Sequence, residues 1–259
     1  MTVRTTKLAT SLAALALAAG LSACGSSTAT TSTTTAGTAA APASGAASSA
    51  AAPASTSAAA SVPDAPSLWK QVQASTASAT SVHVVGNTTD KGAPLKVDIA
   101  GDRKGSNQKA VVDMGAKGVV EVITVDGFDY IRGDKAYWAS QGNGQVDDAL
   151  AKLYLKVPQT GSDFSVGSIL DEIAKTSLNT IDVVNLKVDK SDVSGTPAYL
   201  ISERVPGKSA SKIWVSTDGK ASVLRIDSKD DQGQPGSLLF TEWNAVKPVT
   251  APPADQING

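Results

Sequence analysis

Side chains that could perform catalysis are scarce in this chain of 259 residues, which contains one histidine and one cysteine. The histidine is His83 and the cysteine is Cys24. A single cysteine excludes an intramolecular disulfide, a four-cysteine zinc site and a CxxC redox pair. A hydrolase would need a serine and an acid assembled around His83. We therefore predict no enzyme and no catalytic residues, and the hydrolase alternative rests on His83 alone.

Two pairs of adjacent acidic residues could be metal ligands. They are Asp147 and Asp148 in "VDDA", and Asp230 and Asp231 in "SKDDQGQ". Neither pair has the alternating ligand spacing of a calcium-binding loop, and solvated turns account for both. We therefore expect no metal site and no cofactor. The "RGD" tripeptide at residues 132–134 fits a turn between strands better than a cell-adhesion signal.

The residues before Cys24 have the order of a bacterial export signal. Arg4 and Lys7 precede the apolar run "LATSLAALALAAGL", which is short for a membrane span of about 20 residues. The small residues of "LSAC" then lead into Cys24. This order resembles the lipoprotein box, in which the cysteine is acylated and becomes the mature N-terminus. The alternative is an ordinary secretory signal with an incidental cysteine.

The predicted cellular location of the chain follows from this interpretation of its N-terminal residues. We predict a signal peptide at residues 1–23 and a lipid attached to Cys24, which holds the chain on the extracytoplasmic face of the cell membrane. Two or more acyl chains suffice for stable anchoring. Removal of residues 1–23 takes away two positive charges and leaves a net charge of about −3. No basic stripe remains for nucleic acid, so we expect no nucleic-acid partner.

The chain then divides by composition. Residues 24–66 are almost wholly Ala, Ser, Thr, Gly and Pro, which cannot bury enough apolar surface to fold, so we predict a disordered tether. Residues 67–246 form the predicted folded domain, and its length is sufficient for one hydrophobic core. Residues 247–259, "KPVTAPPADQING", are predicted to be a flexible tail because prolines interrupt them.

The folded domain alternates between strand and helix signals. A short amphipathic helix is expected in "APSLWKQVQASTASAT" and a clearer one in "DFSVGSILDEIAKTS", while "GQVDDALAKLY" suggests one or two helical turns. About ten runs of β-branched and aromatic residues are separated by turn residues such as "VDG". This pattern predicts an α+β fold with a large antiparallel sheet. Several strands are apolar on both faces, which indicates a sheet curled around helices.

Three groups of motifs resemble a known family. They are the lipobox with its Ser/Thr/Ala tether, the run "VITVDGFDYIRGDKAYW" and the run "SKIWVSTDGKASVLRIDS". Together they look like the actinobacterial lipoproteins of the LppX and LprG type, which share a LolA-like half-barrel. The resemblance implies a curved antiparallel sheet with a few helices on its concave face and an apolar cavity between them. It also implies binding or transport of a lipid or glycolipid between the membrane and the outer envelope.

Three residues are candidates for the lining of such a cavity, namely Ile169, Ile173 and Trp214. The partners expected from the resemblance are an acyl lipid or glycolipid, with the membrane reached through the Cys24 anchor. The alternative is a structural or protein-interaction lipoprotein of the envelope, in which the same three side chains belong to a filled core and an envelope protein is the partner.

Overall fold

The computed structural model describes residues 61–90, 92–142, 148, 150–159, 165–175, 186–203, 211–230 and 233–258. The three helices among these residues are α1 (Ala65–Ser78), α2 (Lys135–Ser140) and α3 (Val166–Lys175). The strands are β1 (Ser81–Asp90), β2 (Ala93–Asp102), β3 (Gln108–Asp113), β4 (Val119–Val125), β5 (Phe128–Gly133), β6 (Tyr154–Pro158), β7 (Leu186–Val193), β8 (Thr196–Glu203), β9 (Lys212–Ser216), β10 (Val223–Lys229), β11 (Pro235–Thr241) and β12 (Ile257–Asn258).

All twelve strands form one sheet in the order β12-β6-β5-β4-β3-β2-β1-β11-β10-β9-β8-β7. Every pairing is antiparallel except that of β12 with β6. The edge strands β7 and β12 do not pair with each other, so the sheet is an open half-barrel. The predicted α+β class with a large antiparallel sheet is therefore confirmed. The open edge β7 carries alternating charges, including an ion pair between Lys187 and Asp189 at 2.9 Å.

One face of this sheet, the inner face, is apolar across nearly its whole width. Successive strand registers place ten residues side by side in a first inner row. The row consists of Val188, Ile201, Ile213, Ile226, Leu238, Gly86, Val97, Val112, Val120 and Gly133. A second inner row beside it consists of Phe240, Val84, Ile99, Ala110, Val122, Ile131 and Leu155.

Helices α1 and α3 cover the middle of the inner face. Leu68, Trp69 and Val72 of α1 and Leu170 of α3 belong to the same buried cluster as most residues of the two inner rows. Helix α1 begins at Ala65, two residues before the predicted domain start, because the Asp64 side chain accepts a hydrogen bond from the Ser67 amide at 2.9 Å. Such N-caps satisfy an amide that has no partner within the helix.

The residues predicted as a turn between strands, 132–134, instead end β5 and start α2. The Asp134 side chain accepts hydrogen bonds from the amides of Tyr137 and Val119, at 2.7 and 3.0 Å. It therefore caps the helix and fixes the start of β4 at once. In the segment "GQVDDALAKLY", a 3₁₀ turn spans Leu150–Lys152, whereas residues 143–147 and 149 lie outside the described residues.

The last residues, predicted as a flexible tail, run back across the sheet in the structure. The Asn107 side chain accepts a hydrogen bond from the Val249 amide at 2.8 Å and donates one to the Val249 carbonyl at 2.9 Å. Val249 and Ile257 contact a second buried cluster on the outer face, formed by Ile123, Val125, Tyr130 and Tyr154. The tail is held because it covers apolar side chains that would otherwise be exposed.

Arg103 joins the two covering helices to the sheet. It lies in the β2–β3 turn, donates a hydrogen bond to the Thr76 carbonyl of α1 at 2.6 Å and forms an ion pair with Asp171 of α3. Gly167 of α3 lies so close to this turn that an added Cβ would be 2.3 Å from the Arg103 carbonyl oxygen. The pKa of Asp171 is lowered by Lys175 and then by Arg103.

We expect Arg103→Ala to lower the free energy of unfolding by about 1 to 2 kcal/mol, because two charge-assisted hydrogen bonds are lost at a partly exposed site. Urea denaturation measures the change. The adjacent exposed Lys104→Ala is the control and should shift stability by less than about 0.5 kcal/mol. Equal effects of the two substitutions would contradict the role assigned to Arg103.

Candidate apolar binding site

The structure brings two of the three predicted cavity residues together. Ile173 is buried in the apolar cluster that joins α1 and α3 to the inner rows, and Ile169 is partly buried against this cluster. Trp214 lies on the outer face instead, because its strand neighbours Ile213 and Val215 point inward and side chains alternate along a strand.

Trp214 has its own partners on the outer face. The ring nitrogen donates a hydrogen bond to the Ser191 hydroxyl at 3.1 Å, and the Arg225 guanidinium lies 5.2 Å from the ring centroid. Arg225 is itself held by two hydrogen bonds to Asp227. The structure therefore separates Trp214 from Ile169 and Ile173 by the thickness of the sheet. Cys24 lies outside the described residues.

Three side chains of the second inner row remain accessible beyond the helices. Val122, Ile131 and Leu155 are direct cross-strand neighbours on β4, β5 and β6. Val122 and Ile131 are partly buried, and Leu155 is 41% exposed. We call these three residues the inner patch. It continues the buried core without interruption, since Ala110 and Ile99 precede Val122 in the same row.

The inner patch was not among the sequence candidates. Its strand signal was visible in "VITV" and "YLKVP", but both strands carry apolar residues on both faces. The choice of face depends on register, which local sequence does not provide when both faces are apolar. Only the pairing of Leu155 with Ile131 assigns Leu155 to the inner face.

A polar row borders the inner patch on one side. Gln108, Thr124 and Asp129 are cross-strand neighbours on the inner face, and all three are buried. The Thr124 hydroxyl donates a hydrogen bond of 2.7 Å to the Asp129 carboxylate. At Gly101, the next residue of this row, an added Cβ would be 2.3 Å from the Gln108 Cβ. An apolar ligand on the patch would therefore meet polar groups at this border on β4 and β5, whereas the residue of the row on β6 is the partly buried Val157.

Charged residues on the outer face hold the strands that carry the patch. Glu121 of β4 forms ion pairs with Lys109 of β3, at 2.8 Å, and with Arg132 of β5. The Arg132 guanidinium also lies 4.5 Å from the centroid of the Tyr154 ring of β6. Burial opposes ionisation of Glu121, but the hydrogen bonds from Lys109 and Arg132 outweigh it and lower the pKa of the carboxyl. Four adjacent strands are linked through one carboxylate.

His83 also lies on the outer face. Its Nε2 atom is 2.8 Å from the Asp98 carboxylate, and its strand partners are Ala100 and Thr241. No serine is among these partners, and the inner patch is on the other side of the sheet. The geometry of the described residues therefore does not assemble the triad that the hydrolase alternative requires.

The acidic pairs of the sequence show no metal geometry in the part of the chain that the structure describes. No group of three His, Cys, Asp or Glu residues there could hold a metal ion. Asp148 forms an ion pair with Lys135 at 2.5 Å, which lowers the pKa of the carboxyl, and Asp230 accepts a hydrogen bond from the Gln234 amide. Asp147 and Asp231 lie outside the described residues. Within the same ranges, none of the helices has the length and hydropathy of a membrane span.

The structure is an open, mostly antiparallel half-barrel with an accessible apolar inner face. Neither a protein-family model nor a curated protein matches the chain. The solved structures that are similar to it include LprF from Mycobacterium bovis and the lipoprotein LppX from Mycobacterium tuberculosis, at 18% and 16% identity and TM-scores of 0.46 and 0.41.

LprF matches 74% of this chain and 99% of its own, and LppX matches 72% and 99%. An uncharacterized conserved protein from Thermus thermophilus is similar at 11% identity and a TM-score of 0.34, over 74% of this chain and 96% of its own. The predicted resemblance to the LppX and LprG type is confirmed as a likeness of fold.

The Glu121 ion pairs make stability dependent on pH. Because the folded-state pKa lies below the ordinary value of 4.5, the carboxylate stabilises the fold above that pH and loses this effect as pH falls through the folded pKa. Glu121→Gln should therefore be less stable than wild type by about 1 kcal/mol at neutral pH, with the difference shrinking in acid. Thermal denaturation between pH 7 and pH 3 tests this.

The exposed Glu242→Gln is the matched control, and its effect on stability should stay small throughout the same range. A stability difference for Glu121→Gln that does not change with pH would contradict the assigned role of the carboxylate.

Proposed function

We propose that the chain is a membrane-anchored, extracytoplasmic lipoprotein that binds the acyl chain of a lipid or glycolipid on the inner patch. The observation that carries this proposal is the continuity of Val122, Ile131 and Leu155 with the buried second inner row. An apolar ligand laid on the patch extends an existing core and needs no new pocket lining. The residues that bind it differ from the sequence candidates, although Ile169 and Ile173 belong to the cluster next to it.

Physical chemistry favours an acyl chain as the ligand. Each methylene removed from water contributes about 0.8 kcal/mol, so a carrier of a long acyl chain needs a wide apolar surface. Adjacent strands lie about 4.8 Å apart, so the patch spans roughly 10 Å across its three strands, and the row continues under α3. The polar border at Thr124 and Asp129 limits the apolar surface on one side. An acyl chain would therefore extend along the row instead of across the border.

The membrane anchor rests on the sequence around Cys24. The basic, apolar and small-residue segments precede the cysteine in the order of a lipoprotein signal. A binding protein without catalysis also agrees with the position of His83, which faces away from the patch. In this proposal the tether at residues 24–66 sets how far from the membrane the folded domain can present its ligand.

A structural or protein-interaction role is the second candidate, and close packing under the helices favours it. Leu170, Val166 and Val72 have no exposed surface, and Phe240 is 1% exposed. If the whole inner face were filled in this way, no acyl chain could enter. The accessible Leu155 is the feature that distinguishes the two candidates.

Leu155→Gln is expected to weaken the binding of cis-parinaric acid, a fluorescent fatty acid, about five- to tenfold, because part of a leucine side chain no longer contributes apolar contact. Titration of residues 24–259 carrying Cys24→Ser, followed by fluorescence, measures this affinity. The polar substitution at an exposed position should leave folding unchanged, which circular dichroism checks.

Leu239→Gln is a matched control, since Leu239 is 38% exposed on the outer face. The affinity of the Leu239→Gln variant for the fatty acid should equal that of the reference protein that carries only Cys24→Ser. The absence of any binding, or equal losses in the two variants, would exclude the inner patch as the site and favour the second candidate.

A further inference from the structure

A row of mostly apolar side chains crosses the middle of the outer face. Val85 of β1 and Leu239 of β11 are direct cross-strand neighbours at its centre, and they are 37% and 38% exposed. From β8 to β3 this row, which we call outer row 1, consists of Leu200, Trp214, Arg225, Leu239, Val85, Asp98 and Val111. All of its members are at least partly exposed. Adjoining exposed apolar side chains of this kind indicate a contact surface.

The charges of the outer face have opposite signs on the two sides of the boundary between β11 and β1. In outer row 1, Arg225 lies one strand beyond Leu239, and Asp98 lies one strand beyond Val85. The next row, which we call outer row 2, consists of Lys212, Asp227, Ser237, Asn87, Lys96 and Asp113. Counted outward from the same boundary, Asp227 mirrors Lys96 and Lys212 mirrors Asp113. Every charge in the two rows from β9 to β3 therefore has an opposite charge at its mirror position.

Opposite charges at mirror positions are the pattern that a two-fold dimer requires. A two-fold axis that lies between two packed sheets, along the β11–β1 boundary, places each residue opposite its mirror position in a second copy. Leu239 then faces Val85 of the second copy, and Arg225 faces Asp98 of the second copy. Strands of packed sheets align within about 30°, which this axis allows. Both central apolar side chains leave water together, and the charges beside them are paired.

The rows on either side of these two add no like-charge contact. Beyond outer row 2, Lys229 of β10 has Pro94 as its mirror position on β2. Beyond outer row 1, Lys109 of β3 has Ser216 as its mirror position on β9. The complementarity of the two central rows is therefore not offset at their borders.

A different two-fold axis, perpendicular to the strands and between the two rows, would also oppose unlike charges. It would place Leu239 against Ser237 and Val85 against Asn87 of the second copy. The exposed apolar side chains would then meet polar ones. The axis along the strands is favoured because it places apolar side chains on apolar side chains.

The central charged side chains are already held in position within one chain. Arg225 donates hydrogen bonds of 2.7 and 2.9 Å to Asp227, and the Asp98 carboxylate is 2.8 Å from Nε2 of His83. Side chains that are ordered before association lose less conformational freedom when the complex forms. The contacts within each chain therefore prepare these groups for a second copy.

We propose that the outer face of β10, β11, β1 and β2 is the interface of a two-fold symmetric dimer of this chain. Charge complementarity identifies the occupant, because the surface that carries the mirror charges is this surface itself. The sheet curves around its helices, so the outer face is convex and the contact is confined to the central strands. The interface is thus smaller than the about 1,600 Å² of a standard complex, and the dimer is transient. The inner patch, on the opposite face, stays uncovered in both copies.

Sedimentation equilibrium of residues 24–259 carrying Cys24→Ser tests the dimer. Asp98→Lys should raise the dissociation constant at least about tenfold, because each introduced lysine faces Arg225 of the other copy. Lys96→Asp, which faces Asp227, should have a similar effect. Leu239→Gln should raise the dissociation constant about five- to tenfold through lost apolar contact. Leu155→Gln, on the inner face, is the matched control and should change nothing.

A charge exchange between two variants tests the orientation of the copies. Asp98→Lys and Arg225→Asp should each weaken association when alone, and an equimolar mixture of the two should restore it. In the mixed dimer, the lysine introduced at position 98 faces the aspartate introduced at position 225, and the unsubstituted Arg225 faces the unsubstituted Asp98. With the axis perpendicular to the strands, the introduced lysine would face Lys96, and mixing would restore nothing. Circular dichroism checks the folding of each variant.

A chain that remains monomeric at about 1 mM would overturn the dimer. So would association that ignores Asp98→Lys, Lys96→Asp and Leu239→Gln, or a mixture of the two folded exchange variants that stays monomeric. Fatty-acid binding is measured separately from association. Leu239→Gln should weaken the dimer without changing the affinity for the fatty acid, and Leu155→Gln should do the reverse, so the two proposals fail independently.

Discussion

Burial of one continuous apolar face is the constraint on which the structure depends. Ten strands contribute to the first inner row, and such a face must be covered or curled to leave water. Gly86 lies near the middle of the row, where an added Cβ would be 2.0 Å from the Ser237 carbonyl oxygen. The close approach of β11 to β1 at this point joins the two halves of the sheet. Helices α1 and α3 then cover the centre but leave the strands near β6 accessible.

Polar contacts elsewhere maintain this incomplete coverage. Arg103 fixes the helices at one end of the sheet, and Glu121 fixes β3, β4 and β5 from the outer face. These charged contacts therefore lie at one end of the sheet and on its outer face, away from the inner apolar rows. Strands held from behind keep the inner patch in place without a helix packed on it. The same division of faces separates His83 and Trp214 from the inner patch.

The class of fold was predictable from the sequence because turn residues and β-branched runs alternate along it. The position of Ile173 on the inward face of α3 was predictable, because helical periodicity places it on the same side as Leu170 and Val166. Trp214 was assigned to the wrong face of the sheet, since Ile213, Trp214 and Val215 offer no polar residue to mark the exposed side. Helix α2 was missed because Asp134 is equally suited to a turn. The attachment of the C-terminal residues depends on Asn107, a partner 142 residues away, which local patterns do not reveal.

The charged edge of the sheet has a further consequence for neighbouring copies of the chain. An open sheet with an unprotected edge would join a neighbouring copy strand to strand. The Lys187–Asp189 pair and Lys190, which faces inward from β7, make such joining unfavourable. The opposite edge carries only the two residues of β12. Both edges of the open half-barrel therefore disfavour the joining of separate copies through their strands.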